Sequence, residues 1–240
     1  MTLARGPGEG RPRLVSVAHG TRFAPGNAVA AELTRQAGRL LGMPWEASYI
    51  ELCAPSFAEV MAANQDPVVA VPLLLSSGFH LRCDVPAAVA SSAGPVALAP
   101  ALGPAPELAL AQRDRLLEAG ARPGQPVVLL AAGSRDPDSL VDLHRAAAHL
   151  ADAWGAEVAL ATLSGAGPRL DQVDVAGAAV SPYLLAPGFF ADRARREALA
   201  AGAAVVADVL GPHPLLARLI ADRALSTDLT PLAHSLSLSR

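Results

Sequence analysis

Aromatic side chains are scarce in this chain: they make up 4% of its 240 residues. Its core must therefore be packed mostly with alanine, valine and leucine, and 52% hydrophobic residues supply ample material. Length and composition together suit one large or two modest domains. Cysteine is nearly missing as well. Cys53 and Cys83 are the only two and form no C-x-x-C pair, so neither a disulfide framework nor a zinc finger is expected. Both read as idle or buried thiols. No long basic run occurs and the formal net charge is −3, so the basic footprint that nucleic-acid binding needs is lacking. The N-terminal "MTLARGPGEGRPR" leads only into the short apolar run "LVSVA", too short for the apolar region of a signal peptide. No stretch of about 18 apolar residues escapes Pro or Gly, so no membrane span is expected, and a cytoplasmic location is the default. A G-x-x-x-x-G-K-[ST] phosphate loop is also missing, which argues against ATP use.

What the chain does contain is written twice. "LVSVAHGTR" (14–22) resembles "VVLLAAGSR" (127–135), and "YIELCAP" (49–55) aligns with "TLSGAGP" (162–168). "PLLLSSGFH" (72–80) aligns with "PYLLAPGFF" (182–190), and "LGPAPELA" (102–109) with "LGPHPLLA" (210–217). Four matches in order imply a duplicated domain of about 110 residues, too long a period for a solenoid. The Pro/Gly-rich "ARPGQP" (121–126) marks the junction. The expected division is 1–121, 122–225 and a tail at 226–240.

Each copy alternates short β-branched runs with helical stretches. In the first copy, strands are expected over 14–18, 45–51, 68–75 and 96–98, and helices over 28–41, 56–63, from about Asp84, and 107–119. Asn27 reads as the N-cap of the first helix and Asp84 as the cap of the third. In the second copy, a strand over 127–131 precedes a helix over 140–154. Such alternation predicts βαβ units and parallel sheets covered on both faces. The fold class is therefore α/β: two pseudo-symmetric parallel-sheet domains, with the site in the cleft between them.

Ligands of open α/β sheets bind beyond the carboxyl ends of the strands. In the first copy His19 closes the first strand, Glu51 closes the second, and His80 lies in the loop after the third. Each step is about one βα unit, so all three return to one edge. Two imidazoles and a carboxylate suit a transient divalent ion. Any one of them alone has a plain explanation, as a loop-orienting, capping or surface residue. The second copy sharpens the reading. There Ala132, Ser164 and Phe190 replace His19, Glu51 and His80, while the surrounding Gly, Pro and apolar positions persist. Structural groups would be needed in both halves, so one site is expected, in the first half, with the second half as its wall.

"AHGTR", "IELCAPS" and "VPLLLSSGFHLRCDVP" resemble the motifs of the class II chelatases of the CbiX/SirB type, in their long two-domain form. The resemblance spans nearly the whole chain. It departs in Thr21, where Ser is commoner, and in Ser76-Ser77-Gly78, where Ala-Pro-Gly is typical and is kept as Ala186-Pro187-Gly188. It implies insertion of a divalent metal into sirohydrochlorin, an acidic tetrapyrrole, for sirohaem or cobalamin synthesis. The family's metal-handling histidines carry over to His19 and His80, and its acidic partner to Glu51. The metal, Fe2+ or Co2+ with iron the first expectation, is a substrate. No tightly bound cofactor is expected. The acidic substrate calls for cations and backbone amides, for which Arg22, Arg82, Arg135, Ser77 and Gly78 are candidates, with Arg193, Arg195 and Arg196 near the matching loop. His144, His149, His213 and His234 match no motif and read as structural or surface residues. Partners reduce to the small-molecule tetrapyrrole, with no nucleic acid or membrane and a monomer or weak homo-oligomer. The rival readings are a non-catalytic tetrapyrrole or metal carrier, a chelatase for another tetrapyrrole, and a duplicated domain binding small anions.

Overall fold

The structure, a computed structural model, describes residues 12–227. Beyond Thr227 the expected tail lies outside those residues, as does His234. The first half runs β1 (Arg13–Ala18), α1 (Ala24–Leu41), β2 (Trp45–Tyr49), α2 (Phe57–Ala62), β3 (Val68–Pro72), a π-helical turn (His80–Asp84), α3 (Val85–Ala90), β4 (Val96–Leu98) and α4 (Pro106–Glu118). The second runs β5 (Val127–Ala131), α5 (Pro137–Trp154), β6 (Val158–Thr162), a 3-10 turn (Leu170–Gln172), β7 (Ala179–Tyr183), α6 (Phe189–Ala200), β8 (Val205–Val206) and α7 (Pro214–Ser226).

Two four-stranded, wholly parallel sheets result, in the orders β2-β1-β3-β4 and β6-β5-β7-β8. The orders match, and so do the registers: Ala18 faces Tyr49 as Ala131 faces Thr162. The duplication read from the sequence is thus a duplication of topology. The strands are near-continuous apolar runs because helices cover both faces. In each sheet the chain leaves the first strand to one side and returns on the other. This creates a switch point at the carboxyl end of β1 and of β5.

The helix starts differ from expectation in instructive ways. α1 begins at Ala24, not Ala28, because Pro25 presets the first-turn backbone. Asn27 therefore does not cap it. Its amide brackets Thr21, accepting that residue's N–H at 3.0 Å and donating to its carbonyl at 2.7 Å. α2 is closed by a capping box between Ser56 and Glu59.

The two sheets share one core. Leu14, Val69 and Val71 of the first sheet, Leu129 and Tyr183 of the second, and α1, α4, α5 and α7 all contribute to it. Smaller clusters seal the outer faces beneath α2 and α3 and beneath α6. The last helix of each repeat crosses to the other sheet. α4 packs on β7 and α5, and α7 packs on β3 and α1. Gln112 of α4 donates to the Ser181 hydroxyl of β7 at 2.8 Å, and Arg115 reaches the Leu210 carbonyl at 3.1 Å. No helix among the described residues is long and apolar enough to cross a membrane.

Candidate metal centre

His19 follows the last residue of β1, Glu51 lies two residues past β2, and His80 opens the π-helical turn after β3. One ligand atom from each falls within 4.8 Å of the others. His19 Nε2 is 3.6 Å from Glu51 Oε1, and the two imidazoles stand edge to face, centroids 4.9 Å apart at 88°.

Backbone geometry makes this convergence possible. Gly20 has φ +92°, and a Cβ there would lie 1.9 Å from the Glu51 carbonyl oxygen. Only glycine lets the loop after β1 approach the loop after β2 so closely. Gly133 repeats the feature against Ser164. Next to Glu51, Leu52 sits at φ 65°, a left-handed conformation costly for leucine.

The hydrogen bonds fix which ring nitrogens are free. His19 Nδ1 lies 3.2 Å from the Gly20 carbonyl, which can only accept, so the proton sits on Nδ1. His80 Nδ1 is 2.5 Å from Asp84 Oδ2 and is likewise the donor. With Nδ1 so engaged, Nε2 is the ring nitrogen that an uncharged imidazole offers a cation. Asp84 and His80 form the carboxylate–imidazole pair that orients histidine ligands in metal sites. Asp84 is not the cap expected of it, because it is already helical and makes no capping bond. Its role could have been found in H-x-x-x-D, an i, i+4 spacing on one face of a turn.

A closed tetrahedral shell with bonds of about 2.1 Å separates its ligand atoms by about 3.4 Å. The set here is wider, and the His19 and Glu51 side chains are about half exposed. Such a set can take up an ion and release it. In the second half the equivalent point is self-satisfied: the Ser164 hydroxyl donates to the Ala132 carbonyl at 2.6 Å. Phe190 makes an edge-to-face pair with Phe189.

The expected substrate-binding residues divide. Arg22 and Arg135 are exposed and make no ion pair among the described residues. Arg82 is held by Asp136 and, at 2.6 Å, by Asp138. The Ser77 N–H is not free for a ligand: it donates to Asp142 at 2.8 Å, joined by the Ser77 hydroxyl at 2.6 Å. Gly78 turns its carbonyl to the Arg82 N–H. Arg193 pairs with Glu197, while Arg195 and Arg196 are exposed. Cys53 is half-buried and Cys83 exposed. His213 is structural, accepting the Leu215 N–H at the start of α7.

The second half thus grips the segment that carries His80. Ser76 and Ser139 hydroxyls meet at 3.1 Å, and buried Tyr183 donates to the Leu75 carbonyl at 3.0 Å. Burial, helped by the Asp142 charge, pushes the Tyr183 pKa up and keeps the donor protonated. In the reciprocal contact, the Pro187 carbonyl packs against Gly26, and Gly188 lies beside Thr21.

Comparison with known proteins agrees with this architecture. SirB from Bacillus subtilis with Fe3+ superposes with a TM-score of 0.75 at 24% identity, covering 94% of this chain and 97% of its own. The sirohydrochlorin chelatase SirB from Bacillus subtilis subspecies spizizenii in complex with cobalt gives 0.71 at 20% identity, covering 90% and 94%. CbiX, the terminal enzyme for biosynthesis of siroheme in denitrifying bacteria, gives 0.63 at 20% identity, covering 89% and 98%. At these identities the likeness establishes the fold. No curated protein sequence matches. The CbiX family model matches residues 13–119 and again 126–227, both repeats in turn, and the chain belongs to the CbiX family.

Proposed function

We propose that the protein is a cytoplasmic chelatase that inserts Fe2+ or Co2+ into sirohydrochlorin without ATP, at His19, Glu51 and His80, in the space between the two halves. The observation that carries this reading is the meeting of three ligand atoms within 4.8 Å from three separate strand ends. Family membership and the metal-bearing SirB structures support it. The chain contains no lysine, so a phosphate-loop lysine is not available to it.

The residues fit the steps the reaction needs. Metal insertion exchanges two pyrrole protons for one divalent ion. His19 and His80 present Nε2 to the hydrated ion and displace water, and Glu51 adds charge without closing the shell. As the ion moves to the ring nitrogens, two of the three vacated groups, His19 Nε2, His80 Nε2 and the Glu51 carboxylate, accept the two protons. Such positioned bases contribute about 10²–10⁴ in rate. Arg22 and Arg135, unpaired among the described residues, suit the substrate's peripheral carboxylates. The Asp136 and Asp138 carboxylates around Arg82 would be competitors for such a group.

An anaerobic absorbance time course with sirohydrochlorin and either ion tests this. Multiple turnovers above the spontaneous rate are expected, with a loss of about 10²-fold or more in His80→Ala. Turnover unchanged in a folded His80→Ala protein would refute the assignment. A spectral change that stops at one equivalent without acceleration would make the protein a carrier.

A further inference from the structure

The chain has five phenylalanines, and only Phe57 is buried. Phe23, Phe79, Phe189 and Phe190 are 48%, 66%, 71% and 41% exposed. Phe23 and Phe79 follow β1 and β3, the strands after which the two histidines emerge, and Phe189 and Phe190 follow β7, the counterpart of β3 in the second sheet. Leu52, beside Glu51, is also 49% exposed. It holds the left-handed conformation that Gly165 adopts in the second repeat. A strained leucine is kept where the other repeat has the relaxed residue, and its side chain is not used for packing.

Phe79 and Leu52 adjoin the metal-capable set as chain neighbours of His80 and Glu51. The Phe79 and His80 rings lie 6.3 Å apart at 75°. The loop leading to Phe189 touches the segment on either side of Phe23, through Pro187 against Gly26 and Gly188 beside Thr21. Phe189 and Phe190 pair edge to face, centroids 5.4 Å apart, which leaves ring faces open for stacking. Arginines accompany these groups along the chain: Arg22 immediately precedes Phe23, and Arg135 is its repeat-related counterpart. Exposed phenylalanines together with exposed arginines are complementary to a flat conjugated ring bearing peripheral carboxylates. An acyl chain would leave the arginines unmatched.

We propose that Phe189 and Phe190, with Phe23 and Phe79, form the seat for the tetrapyrrole plane. The second repeat carries an aromatic ring, Phe190, where His80 stands in the first. The first repeat delivers the ion, and both repeats hold the ring. This inference rests on the chelatase reading above.

The test is the affinity of the full-length protein for metal-free sirohydrochlorin, followed anaerobically by the ligand's fluorescence. Phe189→Ala/Phe190→Ala should weaken binding by about tenfold or more, the scale of an aromatic stacking contact. Phe190→Tyr should restore most of the loss in the Phe189-intact protein, and Phe190→Leu less of it. Co2+ affinity, measured by competition with a chromophoric chelator, should change by less than about twofold, which separates a lost ring contact from a collapsed site. Unchanged tetrapyrrole affinity in the double variant would overturn the seat. So would a change in sedimentation behaviour at unchanged affinity, which would make the surface an interface between copies. Failure of His80→Ala to slow turnover would instead sink the chelatase reading, even if ring binding had fallen in the phenylalanine variants.

Discussion

Asp84 shows how much of the site depends on a residue that touches no substrate. Its carboxylate accepts a hydrogen bond from His80 Nδ1 at 2.5 Å and so leaves Nε2 as the free ring nitrogen of a residue gathered with His19 and Glu51. Carboxylates in this position typically contribute 10–100-fold to metal affinity. Asp84→Ala should therefore weaken Co2+ binding by about that factor. Asp84→Asn, which can still accept from Nδ1 but carries no charge, should fall between. Titration against a competing chelator reads this directly, and an unchanged affinity in Asp84→Ala would remove the positioning role. The sequence showed His19, Glu51 and His80 because their loss in the second copy is visible as letters. Asp84 was visible too, but its letter fitted two roles. An aspartate before "VPAAVA" is an ordinary cap, and only the π-helical turn, which makes the chain helical before Asp84, turns it toward His80. The Ser77–Asp142 bond was hidden for a different reason. Its donor is the backbone N–H that exists because the usual proline is serine here, and its acceptor comes from α5, 65 residues away.

Among the elements, α7 carries the clearest dependence on pH. His213 caps it, accepting the Leu215 N–H through Nδ1, with Nε2 3.5 Å from Asp114 of α4. Burial, then the nearby Arg115 charge, push the His213 pKa below 6.5; Asp114 and Glu118 oppose this without cancelling it. The fold therefore favours the neutral ring, and the unfolded chain binds the proton first as pH falls. The stabilisation is complete above about pH 6.5 and declines as pH drops through that value toward the folded pKa. Protonated Nδ1 can no longer accept the capping N–H. His213→Asn keeps a cap that does not titrate. Between pH 7.5 and 5 the wild-type melting temperature should fall further than that of His213→Asn, and parallel curves would refute the role. At this scale most of the fold was legible. Strands from β-branched runs and the four-strand alternation follow from local pattern. What local pattern could not show is where α4 and α7 go. Their apolar faces fit either sheet equally well, and only tertiary packing decides.

That crossing governs how the whole molecule can be divided. α4 ends the first repeat yet covers β7, and α7 ends the second yet covers β3. Without the second repeat, Leu14, Val69 and Val71 of the shared core lose their cover, and α4 loses the surface against which Leu108, Leu116 and Gln112 are buried. Each large side chain so uncovered costs about 1.5–3 kcal/mol, and five of them approach the whole stability of an ordinary domain, about 5–15 kcal/mol. A lone first repeat should not persist as a monomer. The molecule contains the remedy, because "LGPAPELA" and "LGPHPLLA" begin α4 and α7 at equivalent points. The α4 of a second copy can lie where α7 lies now, and the exchange is reciprocal under a two-fold axis. Residues 1–121 expressed alone should therefore form a symmetric dimer with α4 exchanged. Such a dimer carries two His19–Glu51–His80 sets and no Phe189–Phe190 pair. Light scattering after size-exclusion chromatography gives its mass, and Co2+ titration should give two equivalents per dimer. A folded monomer would mean that α4 can turn back onto its own sheet, so that the second repeat is not required to complete the core of the first.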